Sequence, residues 1–579
     1  MKPEKSILHR VKQGDDIKTF IYITFVQHMP AMGKKLKLLI LIVVLLMNAS
    51  CNRNSFRDEG KSVFRYNESA GITSLDPAFA RNQANIWAVN HMFNGLVQLD
   101  TLLKVRPGIA KRWKISSDGR EYIFYLRDDV YFHDNKVFPG SKGRKITAKD
   151  FIYSFQRLSD QRLASPGAWV LGPVQIKNNL PDIVSINDTT LIIRLNEAFP
   201  PFLSMLSMQY CSVVPREAVE FYGEDFRSNP VGTGPFRFKL WKEGVKLVLI
   251  RNGNYFEEEN GNRLPYLDAV AISFIIDKQT AFLEFIKGNL DFISGLDASY
   301  KDEILTPSGR LNPKYADRIK MTTQPYLNTE YLGILADESN PVMNNNPLLI
   351  KKVRQAISYG FDRKRMMRYL RNGIGEPGTH GFIPAGLPGY SGDAGYGYDY
   401  NPEKAGNLLA EAGYPMGNGL PPVTLSTNAS YLDLCQFIQS QLGQIGIKMK
   451  IDVTPPATLR ENIARARIPF FRGSWIADYP DAENYLSLFY SENHCPEGSN
   501  YTNYENQIFD KLYQEAYLES DISKRSRLNR KMDSLIMQDA PVIVLFYDEV
   551  LRLSGKNITG LGSNPLNLLE LKRVKKTGK

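Results

Sequence analysis

The chain has 579 residues, 43% hydrophobic and 23% charged, which is too long for one core and too apolar for disorder, so two to four folded domains are expected. The formal charge is +11, yet residues 1–50 hold eight Lys or Arg against three Asp or Glu, which leaves a surplus of only six over the remainder. The basic residues are scattered rather than striped, and this argues against nucleic acid or another polyanion as a partner.

In chain order, the first informative segment is Lys34, Lys35 and Lys37 ahead of an unbroken apolar run from Leu38 to Met47, followed by Asn48-Ala49-Ser50-Cys51. A basic start, a short apolar stretch and small residues at a cleavage point describe an export signal. Ten apolar residues cover about 15 Å as a helix, about half of a bilayer core, which is short for a stable span. The alternative is a short anchor helix that is never cut. Cys51 after Ala-Ser resembles the lipobox of bacterial lipoproteins, with Asn48 where that pattern usually has Leu, so Cys51 is the expected lipidation site. Residues 1–50 are thus assigned to the signal, with Met32 the expected true start, and residues 51–60 to a polar, lipidated tether. Beyond Cys51 only Cys211, Cys435 and Cys495 remain. An exported chain of this size with so few cysteines does not rest on a disulfide framework; Cys435 with Cys495 is the best candidate pair, and unpaired core residues are the preferred reading.

The folded body is expected to start near Lys61. Glu121 to Leu126 and Thr190 to Leu195 read as buried strands. Thr147-Ala148-Lys149-Asp150 has capping-box spacing, and Phe151, Ile152, Phe155 and Leu158 follow at helical period. Leu349, Val353, Ala356 and Ile357 repeat that period, and a further helix is announced by Asp362 and stops at Asn372-Gly373. Strands alternating with helices predict an α/β body.

Near the carboxyl end stands Arg472-Gly473-Ser474-Trp475-Ile476-Ala477-Asp478-Tyr479. A basic and an acidic residue flank a stretch with small residues, which suits an extended ligand with two charged ends. If Gly473 to Trp475 runs as an exposed strand, a peptide pairs with its backbone while Asp478 takes an ammonium and Arg472 a carboxylate. The competing reading is a solvated pair or a strand-end cap. Trp475 is placed either against the ligand or under the strand.

Several blocks in order carry a family resemblance: Leu75-Asp76-Pro77; Met92 to Leu96; Ala110 to Asp134; Asn229 to Phe236; Lys352 to Tyr359; and Tyr400 to Pro415. Together they resemble the extracellular solute-binding proteins of family 5, the oligopeptide- and dipeptide-binding lipoproteins of ABC importers. That resemblance implies a periplasmic-binding-protein-like, two-lobed (class II) α/β fold with an extra inserted domain and a ligand cleft between the lobes. By position, residues 61–99, 222–325 and 541–579 would form the first lobe, 100–221 the extra domain and 326–540 the second lobe. It implies that Asp478 holds a peptide ammonium, that Arg472 holds the terminal carboxylate of some peptide lengths, and that Gly473, Ser474, Trp475 and Tyr479 complete the site. It further implies a monomeric binding protein, not an enzyme, lipid-anchored in the cell envelope on the periplasmic face of a bacterial membrane. Its partners would be short peptides, an ABC permease and its ATPase.

Rival signals weigh less. Gly373-Ile374-Gly375-Glu376-Pro377-Gly378 matches the dinucleotide fingerprint in letters, but a predicted helix precedes it and a Pro-Gly loop follows, so it reads as a turn. His91, His133, His380 and His494 form no His-Glu-x-x-His pair and no Cys-x-x-Cys exists, so no metal or other cofactor is expected. His133, within the longest family block, reads as a structural partner and His380 as a loop residue. Tyr390, Tyr396, Tyr398 and Tyr400 suit either a loop at a cleft mouth or ordinary structured surface. An exported peptidase is the alternative of another class; no Gly-x-Ser-x-Gly elbow or Ser-x-x-Lys supports it. A peptide sensor, or a binder of a nickel chelate, opine or oligosaccharide, also fits the fold.

Overall fold

The computed structural model describes residues 60–297, 299–392 and 395–578. The expected export signal, the start at Met32 and the lipidated Cys51 lie outside the described residues, as does all of the tether except Gly60. Among the described residues no helix is long and apolar enough to cross a membrane.

Local chemistry explains the elements. Strand Glu121–Leu126 buries every second residue, Tyr122, Phe124 and Leu126. Helix Ala148–Ser159 opens where Thr147 N donates to Asp150 Oδ2 at 2.8 Å. Helix Arg363–Arg371 begins where Asp362 accepts from Arg365 N and ends on left-handed Asn372. Gly373 and Gly375 follow with φ of 76° and 96° and lead into the two-residue strand Glu376–Pro377. The letter match to a dinucleotide loop is therefore a helix exit, with no helix start to receive a phosphate.

The strands used below are β1 (Val63–Asn67), β2 (Ala110–Ile115), β3 (Glu121–Leu126), β4 (Ile183–Asn187), β5 (Thr190–Arg194), β6 (Phe236–Lys242), β7 (Lys246–Arg251), β8 (Ala269–Ser273), β9 (Phe292–Ser294), β10 (Ile319–Ile334), β11 (Glu376–Pro377), β12 (Val423–Thr427), β13 (Met449–Val453), β14 (Phe470–Ile476) and β15 (Val542–Gly555). An 11-stranded sheet runs β6-β7-β8-β1-β9-β15-β10-β14-β12-β13, with β11 paired to β15, and a 4-stranded sheet runs β2-β3-β5-β4. Both sheets mix with helices, which makes the body α/β.

Two long strands join the halves of the large sheet. β10 has 16 residues, about 50 Å of extended chain, and pairs antiparallel with the 14-residue β15. β9 joins the ribbon at Phe292↔Ser554 and β14 at Asn328 to Ile334, toward opposite ends of β10. Burial follows this division: β10 is mostly exposed from Lys320 to Tyr326 and continuously buried from Leu327 to Ile334. The pairing register breaks between Pro325 and Thr329, where proline lacks a donor. Leu327 fills the break, donating to Pro565 O at 2.8 Å and accepting from Ala477 N at 2.9 Å. That second bond fixes where β14 ends and Asp478 begins.

The cores divide along the same lines. Phe64, Phe124, Phe155 and Phe236 belong to one apolar cluster, so the 4-stranded sheet shares its core with β1 and β6. Around the other half, Tyr331, Phe382, Tyr485 and Phe489 form one cluster, and Leu332, Ile357, Leu425 and Phe546 another. Three of the family blocks meet in space. His133 is buried with Nε2 2.9 Å from Gly234 O, and burial pulls its pKa down to about 4, so it is a neutral structural partner as expected. A Cβ on Gly232 would lie 2.1 Å from Met92 O, so only glycine allows that approach. Cys211, Cys435 and Cys495 are all buried and unpaired. Two tyrosines of the run are structural, since Tyr398 is buried with its hydroxyl 2.6 Å from Met537 O and Tyr396 donates to Asp533 Oδ2 at 3.1 Å, whereas Tyr400 is exposed.

Candidate functional site

The octapeptide Arg472 to Tyr479 folds as the end of β14 and the turn after it. One edge of β14 pairs with β10 along its whole length, Ile334↔Phe470 to Asn328↔Ile476. The other edge meets β12 only at Ser426↔Phe471. From Gly473 to Ile476 that edge has no strand partner among the described residues, so its backbone donors and acceptors are open to an added strand. Ser474 is exposed and Gly473 half-buried. A side chain at Gly473 would place its Cβ 2.8 Å from the ring of Tyr331, its register partner on β10. The close packing of Tyr331 thus requires a glycine at this point of the strand.

Asp478 follows the strand. Its backbone N donates to Asn484 Oδ1 at 3.1 Å, and the indole N–H of Trp475 donates to the same atom at 3.0 Å. One amide therefore holds both the turn and the tryptophan, which fixes Trp475 by its polar edge. Asp478 is exposed to solvent, yet desolvation by the surrounding protein raises its pKa, with a bond to Asn484 opposing. Water thus reaches the carboxylate on one side while protein surrounds it on the others. Tyr210 lies close enough for the Asp478 charge to add to burial in pushing its hydroxyl up to about 12. Tyr479 is buried, its hydroxyl bonded to Glu483, and its ring lies 6.2 Å from that of Trp169. It packs beneath the turn and supports Asp478. Behind it, Arg525 Nη2 and Asp481 Oδ2 form a buried ion pair at 2.5 Å that pins the turn to helix Ile522–Asp539.

Arg472 is placed differently from Asp478. Its side chain is 8% exposed and is ion-paired with Glu330, itself 4% exposed. The ring of Tyr431 covers the guanidinium, with its centroid 3.2 Å from Cζ. Asn328 Nδ2 donates to Glu330 Oε1 at 3.0 Å and reaches Asp548 Oδ2 at 3.4 Å, and Asp548 is ion-paired with Arg371. Burial raises the Glu330 pKa, and the Arg472 charge opposes that rise. Sequence reasoning paired Arg472 with a ligand and missed Glu330, Tyr431 and Asp548. A signal was present: Asn328, Thr329 and Glu330 stand between Leu327 and the apolar stretch Tyr331 to Ile334, and a charge beside such a stretch in a buried strand must have a partner.

Next to this cluster a cavity of about 520 Å³ opens between the halves of the molecule. Leu296 and Lys301 line one side, Arg371 and Tyr431 the other, and Asp548 on β15 lies at the crossing strands. A concave site between two halves joined by crossing strands suits reversible capture of a small extended molecule.

Residues 104–495, more than half of the chain, match the family described as bacterial extracellular solute-binding proteins, family 5 Middle. Across 524 residues the chain is 27% identical to heme-binding protein A of Haemophilus influenzae, covering 86% of this chain and 90% of that protein. It is 25% identical over 490 residues to the dipeptide-binding protein of Escherichia coli K12, covering 82% and 87%. The fold superposes with a TM-score of 0.71, at 25% identity, on the ABC transporter-associated periplasmic binding protein DppA from Helicobacter pylori in complex with the peptide STSA, covering 90% of this chain and all of that one.

Proposed function

The chain belongs to the bacterial extracellular solute-binding proteins of family 5, non-enzymatic binding proteins of ABC transporters, and on that premise we propose that its solute is a short peptide held by its amino terminus. The observation that carries this reading is the open edge of β14 from Gly473 to Ile476, ending at the solvent-reached carboxylate of Asp478. Backbone pairing along that edge reads no side chain, so one site accepts many sequences. Asp478 takes the ammonium, Ser474 and the backbone of Gly473 and Trp475 flank the peptide, and Tyr479 holds the turn. At about 3.3 Å per residue, Arg472 and Asp478 lie at most about 20 Å apart, the reach of about six residues.

In this reading residues 61–99, 222–325 and 541–579 act as one lobe carrying the inserted 100–221, and residues 326–540 as the other. Both lobes move about the register break at Pro325 to Thr329. The protein delivers its ligand as a monomer to a permease and its ATPase, tethered to a membrane through lipid on Cys51. Related proteins named for heme and for dipeptides keep a non-peptide solute as the competing reading. Calorimetric titration of purified residues 52–579 with alanine peptides of two to six residues, each free and N-acetylated, tests the proposal. Binding of the free peptides at one or more lengths, weakened about 30-fold or more on acetylation, is expected. No binding at any length would refute it.

A further inference from the structure

The two charged residues at the ends of the octapeptide are not equivalent. Asp478 is open to solvent, whereas Arg472 is closed in from both sides. Glu330 stands opposite Ser474 in the β10–β14 register, one pleat from Arg472 on the same sheet face, which brings its carboxylate onto the guanidinium. Tyr431 covers the guanidinium from the cavity side. Glu330 is in turn held by Asn328, so it is not free to swing away.

An incoming ligand carboxylate would have to get past Tyr431 and then either displace Glu330, leaving it buried without its counterion, or crowd a second carboxylate against it on one guanidinium. The cavity beyond Tyr431 carries two further cations, Arg371, which is committed to Asp548, and Lys301 on the opposite wall, whose Nζ lies 3.5 Å from Asn372 Oδ1; Asp297, Asp433, Asp548 and Glu549 in the same lining outnumber them. The far end of the site is acidic, and the charge of its one buried guanidinium is already neutralised by Glu330 through Nη2, although its Nε has no partner among the described residues.

We propose that Glu330 is an internal replacement for the ligand's carboxylate, so that the protein selects its ligand by the ammonium end alone. The inference rests on the peptide reading above. It assigns the solute class more narrowly: amine-terminated peptides whose far end is uncharged within the cleft, either because the carboxylate is blocked or because the chain runs on beyond it. A binder with Arg472 free would instead be selective for free acids of one length.

The test is calorimetry with alanine peptides of two to six residues, each prepared as the free acid and as the C-terminal amide, with N-acetyl peptides as controls. The native protein is expected to bind the amide at least as tightly as the acid at every length, and N-acetylation to weaken binding of both by about 30-fold or more. Glu330→Gln, which leaves Arg472 without its counterion, is expected to prefer the acid by about tenfold or more at a single length. A native protein that prefers the acid by more than about tenfold at any length overturns the inference, and this ratio needs no variant to fold. A folded Glu330→Gln protein that shows no gain in preference for the acid also overturns it. Failure of every free-amine peptide to bind removes the peptide reading itself, whereas binding with a preference for acids removes only this inference.

Discussion

Replacing Asp478 by Asn removes one charge and keeps the shape of the side chain, and its consequences for folding and for binding have opposite signs. The folded-state pKa of Asp478 is raised by desolvation, so the folded protein holds that proton more tightly than the unfolded chain does. The favourable contribution of this group is therefore complete at acid pH and lost as pH rises through its folded pKa, so at pH 7 the ionised carboxylate opposes folding. Asp478→Asn should leave the unfolding temperature at pH 7 unchanged or slightly higher. For binding, removing one member of a desolvated charge pair costs about 2–5 kcal/mol. Because solvent reaches Asp478, the lower part of that range applies: about 2–3 kcal/mol, or about 30- to 150-fold in Kd. The assay is a four-way titration of native and Asp478→Asn protein with one peptide, free and N-acetylated. Acetylation should weaken binding to the native protein by a similar factor and cost less than about threefold in the variant, because the two changes remove the same contact. Equal acetylation costs in both proteins would refute the pairing of Asp478 with the ammonium.

Gly473→Ala should lower stability by about 1–3 kcal/mol, read from a denaturant midpoint, because its Cβ would press on Tyr331, which is buried with its ring 5.2 Å from that of Phe382. The same change should weaken peptide binding, since the strand must shift to relieve the contact. Asp533 is buried, and desolvation pushes its pKa up to about 7 against hydrogen bonds from Phe382 N and Tyr396. Its folded state holds the proton more tightly, so native stability should fall between about pH 4 and pH 7 by up to about 1.4 kcal/mol per unit, and Asp533→Asn should flatten that slope in thermal scans. Cys211, Cys435 and Cys495 are buried and unpaired, with burial raising all three thiols, so a thiol reagent should label none of them in the native protein and all of them after denaturation.

Short-range chemistry was legible in the sequence. The bounds of β3 follow from alternation, the helix at Arg363 from the Asp362 cap, and the turn at Gly373 from the helix that precedes it. The octapeptide was read as a strand ending at an acid, and β14 is that strand. What was not legible depends on contacts between distant segments. Glu330 and Arg472 are 142 positions apart, and only the register of β14 against β10 brings them together. The ring of Tyr431 reaches Arg472 from the start of another helix, and the cavity draws its lining from both halves of the chain. For a related reason the spacing of the tyrosine run could not separate a loop at a cleft mouth from structured surface: Tyr398 and Tyr396 are anchored on helix Ile522–Asp539 through Met537 and Asp533, which favours structured surface.

The most direct test of the central claim is mass spectrometry of the small molecules released by denaturing residues 52–579 after gentle purification from their native host. A backbone-reading edge ending at Asp478 predicts a set of short peptides with free amino termini, at most about six residues long within the cleft and varied in sequence. A single non-peptide species, or peptides with blocked amino termini, would contradict it and leave Asp478 an ordinary carboxylate of the cleft.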